Sequence, residues 1–217
     1  MTSEMKFSEL VITPTTVPGW SVKACVGLFC IGLLALYLPL GVLGLGLLIY
    51  IGLILRVTVQ PESYIRPDET VYAPVDGRII SVDERSDGTK TVILQPDLFD
   101  SHLHYAPVAG QLEDITWVDG SFKFKALDGV PNDLLARREI TWRTKKGHRV
   151  EMTVFGDKWC RLIQCFLREG RQTIVSDCAG LALFRGVVMV TFITSAPLNI
   201  VPGQRCLAAQ TQLGQTI

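Results

Sequence analysis

The sequence predicts a mainly β fold, a folded-over β sandwich, preceded by a membrane-embedded helical segment. Residues 24–55 carry no charged side chain, which raises the mean hydropathy of the whole chain to +0.30. After them, short apolar runs alternate with Gly, Asp and Pro turns. No long amphipathic helical pattern interrupts these runs, so strands should dominate the second part of the chain.

The first elements are an N-terminal tail at residues 1–20 and a membrane-embedded segment at residues 21–56. A single upright helix crosses a bilayer with about 20 residues, so the uncharged run is too long for one such helix. Pro39 lies near its middle and lacks the amide hydrogen that a helix interior requires. We therefore predict a helical hairpin bent at Pro39. One long, kinked and tilted transmembrane helix is the alternative.

A polar linker with two prolines follows at residues 57–69, and the β domain occupies residues 70–217. This length is sufficient for an independent hydrophobic core. The predicted strands are residues 77–82, 91–95, 139–144, 149–155, 161–167, 181–184 and 187–193.

A short internal repeat organises the start of the β domain. The sequence YAPVDG at residues 72–77 recurs as YAPVAG at residues 105–110, and each copy precedes an apolar strand. Proline fixes φ, and glycine can take the positive φ that other residues avoid, so each copy should turn the chain sharply into a strand. The repeat predicts two pseudo-symmetric halves, with coincidence between two loops as the alternative.

Charge and cysteine content exclude several classes of function. Lys plus Arg and Asp plus Glu both number 21, so no basic field favours nucleic acid. None of the six cysteines forms a Cys-x-x-Cys pair, which argues against a zinc site or a disulfide framework and for a reducing compartment. The basic clusters at residues 137–138 and 143–146 are either a solvated face or an anchor on anionic lipid.

Several motifs occur in an order and at a spacing typical of one enzyme family. In chain order they are LPLG at 38–41, PVDGR at 74–78, FDSH at 99–102, APVAG at 106–110, GSF at 120–122, ND at 132–133, FLREG at 166–170 and GLALF at 180–184. Together they make the chain similar to the short bacterial form of phosphatidylserine decarboxylase over nearly its whole length.

The resemblance implies a particular chemistry at the residues that follow GLALF. In the family these are Gly-Ser, and the serine hydroxyl attacks the preceding carbonyl, so that the chain splits and leaves a pyruvoyl group. That group forms a Schiff base with the phosphatidylserine amine and accepts electrons as CO2 leaves. Here Arg185 and Gly186 occupy the two positions. Glycine has neither the hydroxyl nor the Cβ, so we expect a non-cleaving chain with no pyruvoyl group, no other cofactor, no metal and no catalytic residue.

Two further positions match family residues that assist self-cleavage or protonation, namely Asp76 and His102. The resemblance implies that they line a vestigial pocket for a lipid headgroup. The alternative is that both are turn residues kept for hydrogen bonding. His104 and Tyr105 depart from the polar or basic residues that the family usually has beside this histidine.

These observations predict a membrane-anchored decarboxylase-like pseudoenzyme, not an enzyme, that binds phospholipid or serves as an accessory or scaffolding subunit. Its expected partners are membrane phospholipid and a larger membrane protein complex or a second copy of the chain. We expect it at the bacterial inner (cytoplasmic) membrane, with the β domain on the cytoplasmic side. The alternative is an active enzyme that makes phosphatidylethanolamine from phosphatidylserine by a non-pyruvoyl route, using another nucleophile or a Schiff base on Lys123 or Lys158. A membrane anchor without a pocket is a third hypothesis.

Overall fold

The structure is a computed structural model that describes residues 19–56, 69–122, 134–184 and 186–216. The chain divides into two compact units, Met1–Val57 and Thr58–Ile217. The first unit is helical in its described part, and the second contains every described strand.

The first unit contains two helices, α1 at Gly19–Leu36 and α2 at Leu38–Ile54. They are separated at Tyr37, whose backbone is extended with φ −160° and ψ 105°. Pro39 lies in the first turn of α2, where no helical partner is lost with its amide hydrogen, so it begins a helix instead of bending one. The predicted bend at Pro39 is therefore corrected to Tyr37.

The prediction of a membrane-embedded segment is not supported by the helices of the described region. The break at Tyr37 divides the uncharged run into helices of 18 and 17 residues. Within the described parts of the chain, none is long and apolar enough to cross a bilayer.

The second unit is built from antiparallel strand pairs, which confirms the prediction of a mainly β domain. Three sheets form, with the orders β12-β2-β3-β11-β7-β6-β5-β9, β4-β10-β8 and β1-β13. The strands are β1 Thr70–Tyr72, β2 Gly77–Glu84, β3 Thr89–Gln95, β4 Leu103–Tyr105, β5 Gly110–Val118, β6 Arg137–Arg143, β7 Arg149–Phe155, β8 Ile163–Cys165, β9 Gln172–Thr173, β10 Cys178–Ala182, β11 Val187–Ile193, β12 Arg205–Cys206 and β13 Gln212–Gln215.

One hydrophobic core joins the eight-stranded and three-stranded sheets. Strand β11 lies between β3 and β7, and its residue Val190 is paired with Val92 on one side and Met152 on the other. All three side chains are fully buried. The three-stranded sheet adds Ile163 and Ala179 to the same core. Because alternate residues of these strands are apolar, one face of the large sheet is removed from water by this packing.

The internal repeat forms a reciprocal hydrogen-bonded pair. The Tyr72 amide donates to the Pro107 carbonyl and the Tyr105 amide donates to the Pro74 carbonyl, each at 2.8 Å. Each copy leads into the first strand of a hairpin, β2-β3 or β5-β6. Both hairpins carry a register shift soon after their first glycine, between Ile79 and Ser81 in one and between Leu112 and Asp114 in the other. The two halves therefore share local geometry as well as sequence.

The glycines of the repeat allow the neighbouring strand to approach their backbone closely. A Cβ on Gly77 would lie 2.2 Å from the Gln95 carbonyl oxygen, and one on Gly110 would lie 2.3 Å from the Arg143 carbonyl oxygen. Neither glycine has the positive φ that the sequence predicted. Only glycine allows the neighbouring strand to come so near at these positions.

Candidate functional site

The candidate site lies at the turn between β10 and β11, where His102 contacts the turn directly. The Phe184 amide donates a hydrogen bond to His102 Nδ1 at 3.3 Å, and the Ala182 amide donates to the His102 carbonyl at 3.2 Å. Phe184 has a φ of 64°, a left-handed conformation that a residue other than glycine rarely adopts. The predicted site residue His102 thus holds the turn that precedes Gly186. Arg185 lies outside the described residues.

Strand pairing brings His102 to this position. Strands β4 and β10 are antiparallel with Leu103 opposite Leu181, so the residue before β4 meets the end of β10. The His102 side chain is fully buried there. A ring nitrogen that accepts a hydrogen bond carries no proton, so the neutral His102 ring has its proton on Nε2. The main chain therefore fixes Nδ1, and Nε2 is the donor atom of the neutral ring, inside the protein.

His104 lies in the protein interior close to His102. It is buried, and its Nε2 atom has no hydrogen-bond partner within the described parts of the chain. Burial, and secondarily the nearby His102, lowers the pKa of His104 from 6.5 to about 3. His104 therefore stays neutral near pH 7 and makes the surroundings of His102 less polar.

Gly186 lies in a closed space that excludes a side chain. A Cβ at this position would be 2.8 Å from the Ala182 Cβ and 3.3 Å from both the Cys160 Sγ and the Phe155 carbonyl oxygen. A serine would need one of these neighbours to move. A pyruvoyl group made from this residue needs the same Cβ, so the residues present do not fit that group here.

The Cys160 thiol is the nucleophile nearest to Gly186 that the described contacts show. A turn places it there, in which the Asp157 Oδ1 accepts hydrogen bonds from the Trp159 amide at 2.7 Å and the Cys160 amide at 2.5 Å. Burial, and secondarily the Asp157 carboxylate, raises the pKa of the Cys160 thiol far above its usual value. The thiol is therefore protonated and is a weak nucleophile in this state.

Asp76, the second predicted site residue, holds a different segment. Its Oδ1 accepts a hydrogen bond from the Ala208 amide at 2.8 Å, and the side chain is buried. Burial, followed by the Asp76 and Asp100 carboxylates, raises the pKa of the nearby Cys206 thiol to about 12. The contact between the two repeats links the Asp76 segment to the strand that follows His102. The hydrogen bond from the Ala208 amide supports the interpretation of Asp76 as a structural turn residue.

Of the two lysines considered for a Schiff base, Lys158 lies in the turn at residues 157–160. Lys158 is exposed, and its Nζ atom lies 6.0 Å from the centre of the Trp159 ring. Lys123 falls outside the described residues. No cluster of three or more His, Cys, Asp or Glu side chains suited to a metal occurs in the described ranges.

The sequence reasoning missed Cys160, the role of His104 and the strained Phe184. His102 and His104 are two residues apart, and this spacing indicates that their side chains lie on the same face of an extended segment. No sequence pattern indicates Cys160, because it meets Gly186 only through the packing of strands from different sheets.

No protein-family model matches the sequence. Curated relatives nevertheless cover most of the chain. It is 27% identical over 203 residues to the phosphatidylserine decarboxylase proenzyme of Symbiobacterium thermophilum, covering 91% of this chain and 93% of that protein. It is 28% identical over 211 residues to the proenzyme of the same name from Xanthobacter autotrophicus, covering 93% and 89%. The Magnetococcus marinus proenzyme is 26% identical over 157 residues, or 69% and 71%.

These comparisons correct the prediction that the chain is not an enzyme. Its relatives over about nine-tenths of its length are named as precursors of an enzyme. The prediction was drawn from the missing serine alone. Gly186 excludes one route to one electron-accepting group, and it does not by itself exclude catalysis by the rest of the site.

Proposed function

We propose that this chain, which belongs to the phosphatidylserine decarboxylase family, is an enzyme acting on the serine headgroup of a phospholipid without a group made from residue 186. The match to the named decarboxylase proenzymes along nearly all of the chain carries this proposal. The position of His102 against the β10–β11 turn supports it, because a titratable side chain is held at the place where the family motif ends.

His102 is the residue to which we assign proton transfer. Loss of CO2 from an α-amino carboxylate leaves an electron pair on the carbon, and that carbon must then gain a proton. The neutral His102 ring has its proton on Nε2, and Nδ1 is fixed by the Phe184 amide at 3.3 Å. In this proposal His102 donates the proton; because its ring is buried, the β10–β11 turn must open for the substrate to reach it and for solvent to reprotonate it.

Loss of CO2 also needs an electron acceptor, which would be a carbonyl group other than one made from residue 186; it would form a Schiff base with the serine amine, with release of water, and take up the electron pair. Gly186 has no Cβ, and the space around it is closed by Ala182, Cys160 and Phe155. Lys158 does not supply the acceptor, because an amine forms a Schiff base only with a carbonyl carbon. The serine headgroup offers an amine and a carboxylate, so the Schiff-base route on a lysine is not part of the proposal.

Membrane phospholipid is the proposed source of the substrate, and the cytoplasmic membrane is the proposed location. The helical unit exposes large apolar side chains, among them Leu28, Phe29 and Leu43. Exposed apolar side chains of this kind suit contact with lipid.

The proposal is tested with the purified full-length chain and phosphatidylserine labelled at the serine carboxyl carbon. We expect release of labelled CO2, formation of phosphatidylethanolamine, and an intact mass near 24.0 kDa. Two fragments that meet at Gly186 would contradict the uncut chain, and absence of product would contradict the enzyme. Phenylhydrazine, which blocks carbonyl groups, shows whether the acceptor is a carbonyl.

The matched variants are His102→Asn and His148→Asn. Asparagine retains an atom that can accept from the Phe184 amide but has no ring nitrogen to exchange a proton, so we expect His102→Asn to lower the rate by about 100-fold or more. His148 lies outside the site, in the turn between β6 and β7. Its amide donates a hydrogen bond to the Thr144 hydroxyl. Equal rates for the two variants would remove His102 from the mechanism.

A further inference from the structure

A rim of exposed apolar side chains lies beside the β10–β11 turn. Trp159 is 73% exposed, Leu162 is 39% exposed and Phe184 is 41% exposed. Single exposed apolar residues are common on protein surfaces. Several large ones close together indicate an interaction surface.

Hydrogen bonds and close contacts join the segments that carry these three residues to the site. The Leu183 amide donates to the Leu162 carbonyl at 3.1 Å, which places Leu162 next to Phe184. Trp159 precedes Cys160, whose Sγ lies 3.3 Å from the position of a Gly186 Cβ. The Phe184 amide in turn contacts His102. The apolar rim therefore borders the turn that His102 holds.

The same rim carries positive charge. Lys158 and Arg161 are both exposed, and Lys158 Nζ lies over the Trp159 ring. The acid in this stretch, Asp157, is buried, and its Oδ1 accepts two main-chain hydrogen bonds. Tryptophan and cationic side chains together are typical of surfaces that lie at the headgroup level of a bilayer.

We propose that residues 158–162 and Phe184 form a docking surface for an anionic phospholipid bilayer, which brings a lipid headgroup to His102. This inference rests on the proposed function for its substrate, and the docking itself is measured without turnover. A bilayer fits the surface better than a protein partner, because the apolar side chains are flanked by cations and the proposed substrate is itself an anionic lipid.

The direct test uses the full-length chain with vesicles of brominated phosphatidylcholine, with and without about one third phosphatidylserine. Bromine quenches only indoles that lie at bilayer depth. We expect quenching in the phosphatidylserine vesicles that is reduced in Trp159→Phe, and weaker quenching in Lys158→Glu and Arg161→Glu. Quenching that is the same in wild type and Trp159→Phe would overturn the proposal.

A kinetic test separates docking from catalysis. We expect Trp159→Ser and Leu162→Ser to lower the rate on vesicle phosphatidylserine by about tenfold and to leave the rate on short-chain soluble phosphatidylserine unchanged. The matched control is Ile193→Ser, which is 56% exposed at the far end of β11 and should affect neither rate. An equal loss in all three variants contradicts the docking surface.

Two outcomes keep this proposal distinct from the proposed function. If no variant or wild type turns over either substrate, the enzyme proposal fails, and the quenching result still decides the docking surface. A concentration-dependent dimer without lipid, weakened by Trp159→Ser, would assign the rim to a second copy of the chain and overturn the lipid assignment.

Discussion

Replacing Gly186 with serine is expected to destabilise the fold by steric crowding. The added Cβ would lie 2.8 Å from the Ala182 Cβ, about 1 Å closer than a normal carbon–carbon contact. Gly186 is buried, so the serine cannot turn its side chain into water without moving the strand end. Overpacking of this kind costs about 1–3 kcal/mol of the free energy of unfolding. For a domain of this size, a loss of about 2 kcal/mol corresponds to a fall in Tm of about 4–8 °C.

The second substitution Ala182→Gly tests the stated cause. It removes the atom in closest contact and leaves the Cys160 Sγ and the Phe155 carbonyl oxygen at 3.3 Å. By itself it should cost about 0.5–1 kcal/mol, because glycine is unfavourable inside a strand. In the double variant, however, the crowding is relieved. We therefore expect a favourable interaction free energy of about 1–2 kcal/mol between the two sites.

The assay is urea unfolding of wild type, both single variants and the double variant, followed by circular dichroism. Thermal unfolding of the same four proteins gives an independent measure. The reasoning is refuted if Gly186→Ser is as stable as wild type, or if the two substitutions are simply additive.

Two further predictions concern buried polar side chains. The pKa of His104 in the folded chain is lowered to about 3. Between about pH 6.5 and 3, His104 is therefore protonated only in the unfolded chain. The free energy of unfolding should fall on acidification by up to about 1.4 kcal/mol per pH unit. Urea unfolding at pH 7 and pH 5 should show this dependence reduced in His104→Gln and retained in His148→Gln; equal slopes would contradict it. Asp76→Ala should lower the free energy of unfolding by about 1–3 kcal/mol, because the buried Ala208 amide loses its acceptor at 2.8 Å. Asp76→Asn keeps an acceptor oxygen and should cost less in the same assay, and an equal cost would refute the hydrogen-bond explanation.

The strands found from the sequence are those whose apolar pattern is continuous. Val187–Ile193 and Arg149–Phe155 were predicted with their observed bounds. The long strand β5 was missed because Glu113 and Asp114 interrupt its pattern. In the structure the Glu113 carboxylate pairs with Arg143 on β6, so its charge is satisfied across the hairpin. Short strands such as β12 were missed because their pairing comes from a distant segment.

The candidate site, like the strands, was predicted from the sequence only in part. The motif order along the chain indicated the resemblance to the decarboxylase family, which the named relatives then supported, and it singled out His102. The sequence also shows that residue 186 has no hydroxyl or Cβ, because this is a property of glycine itself. It wrongly extended this property of one residue to the activity of the whole chain.

What the sequence by itself determined is therefore the chemistry available at each position, together with the mainly β character that alternating apolar residues impose. Only the tertiary structure decided which positions meet. The pairing of β4 with β10 brings His102 to Phe184, and the packing of β7, β10 and β11 closes the space around Gly186 with Ala182 and Cys160. These contacts join residues far apart in the chain. No local pattern encodes them, because they depend on how whole sheets register and pack.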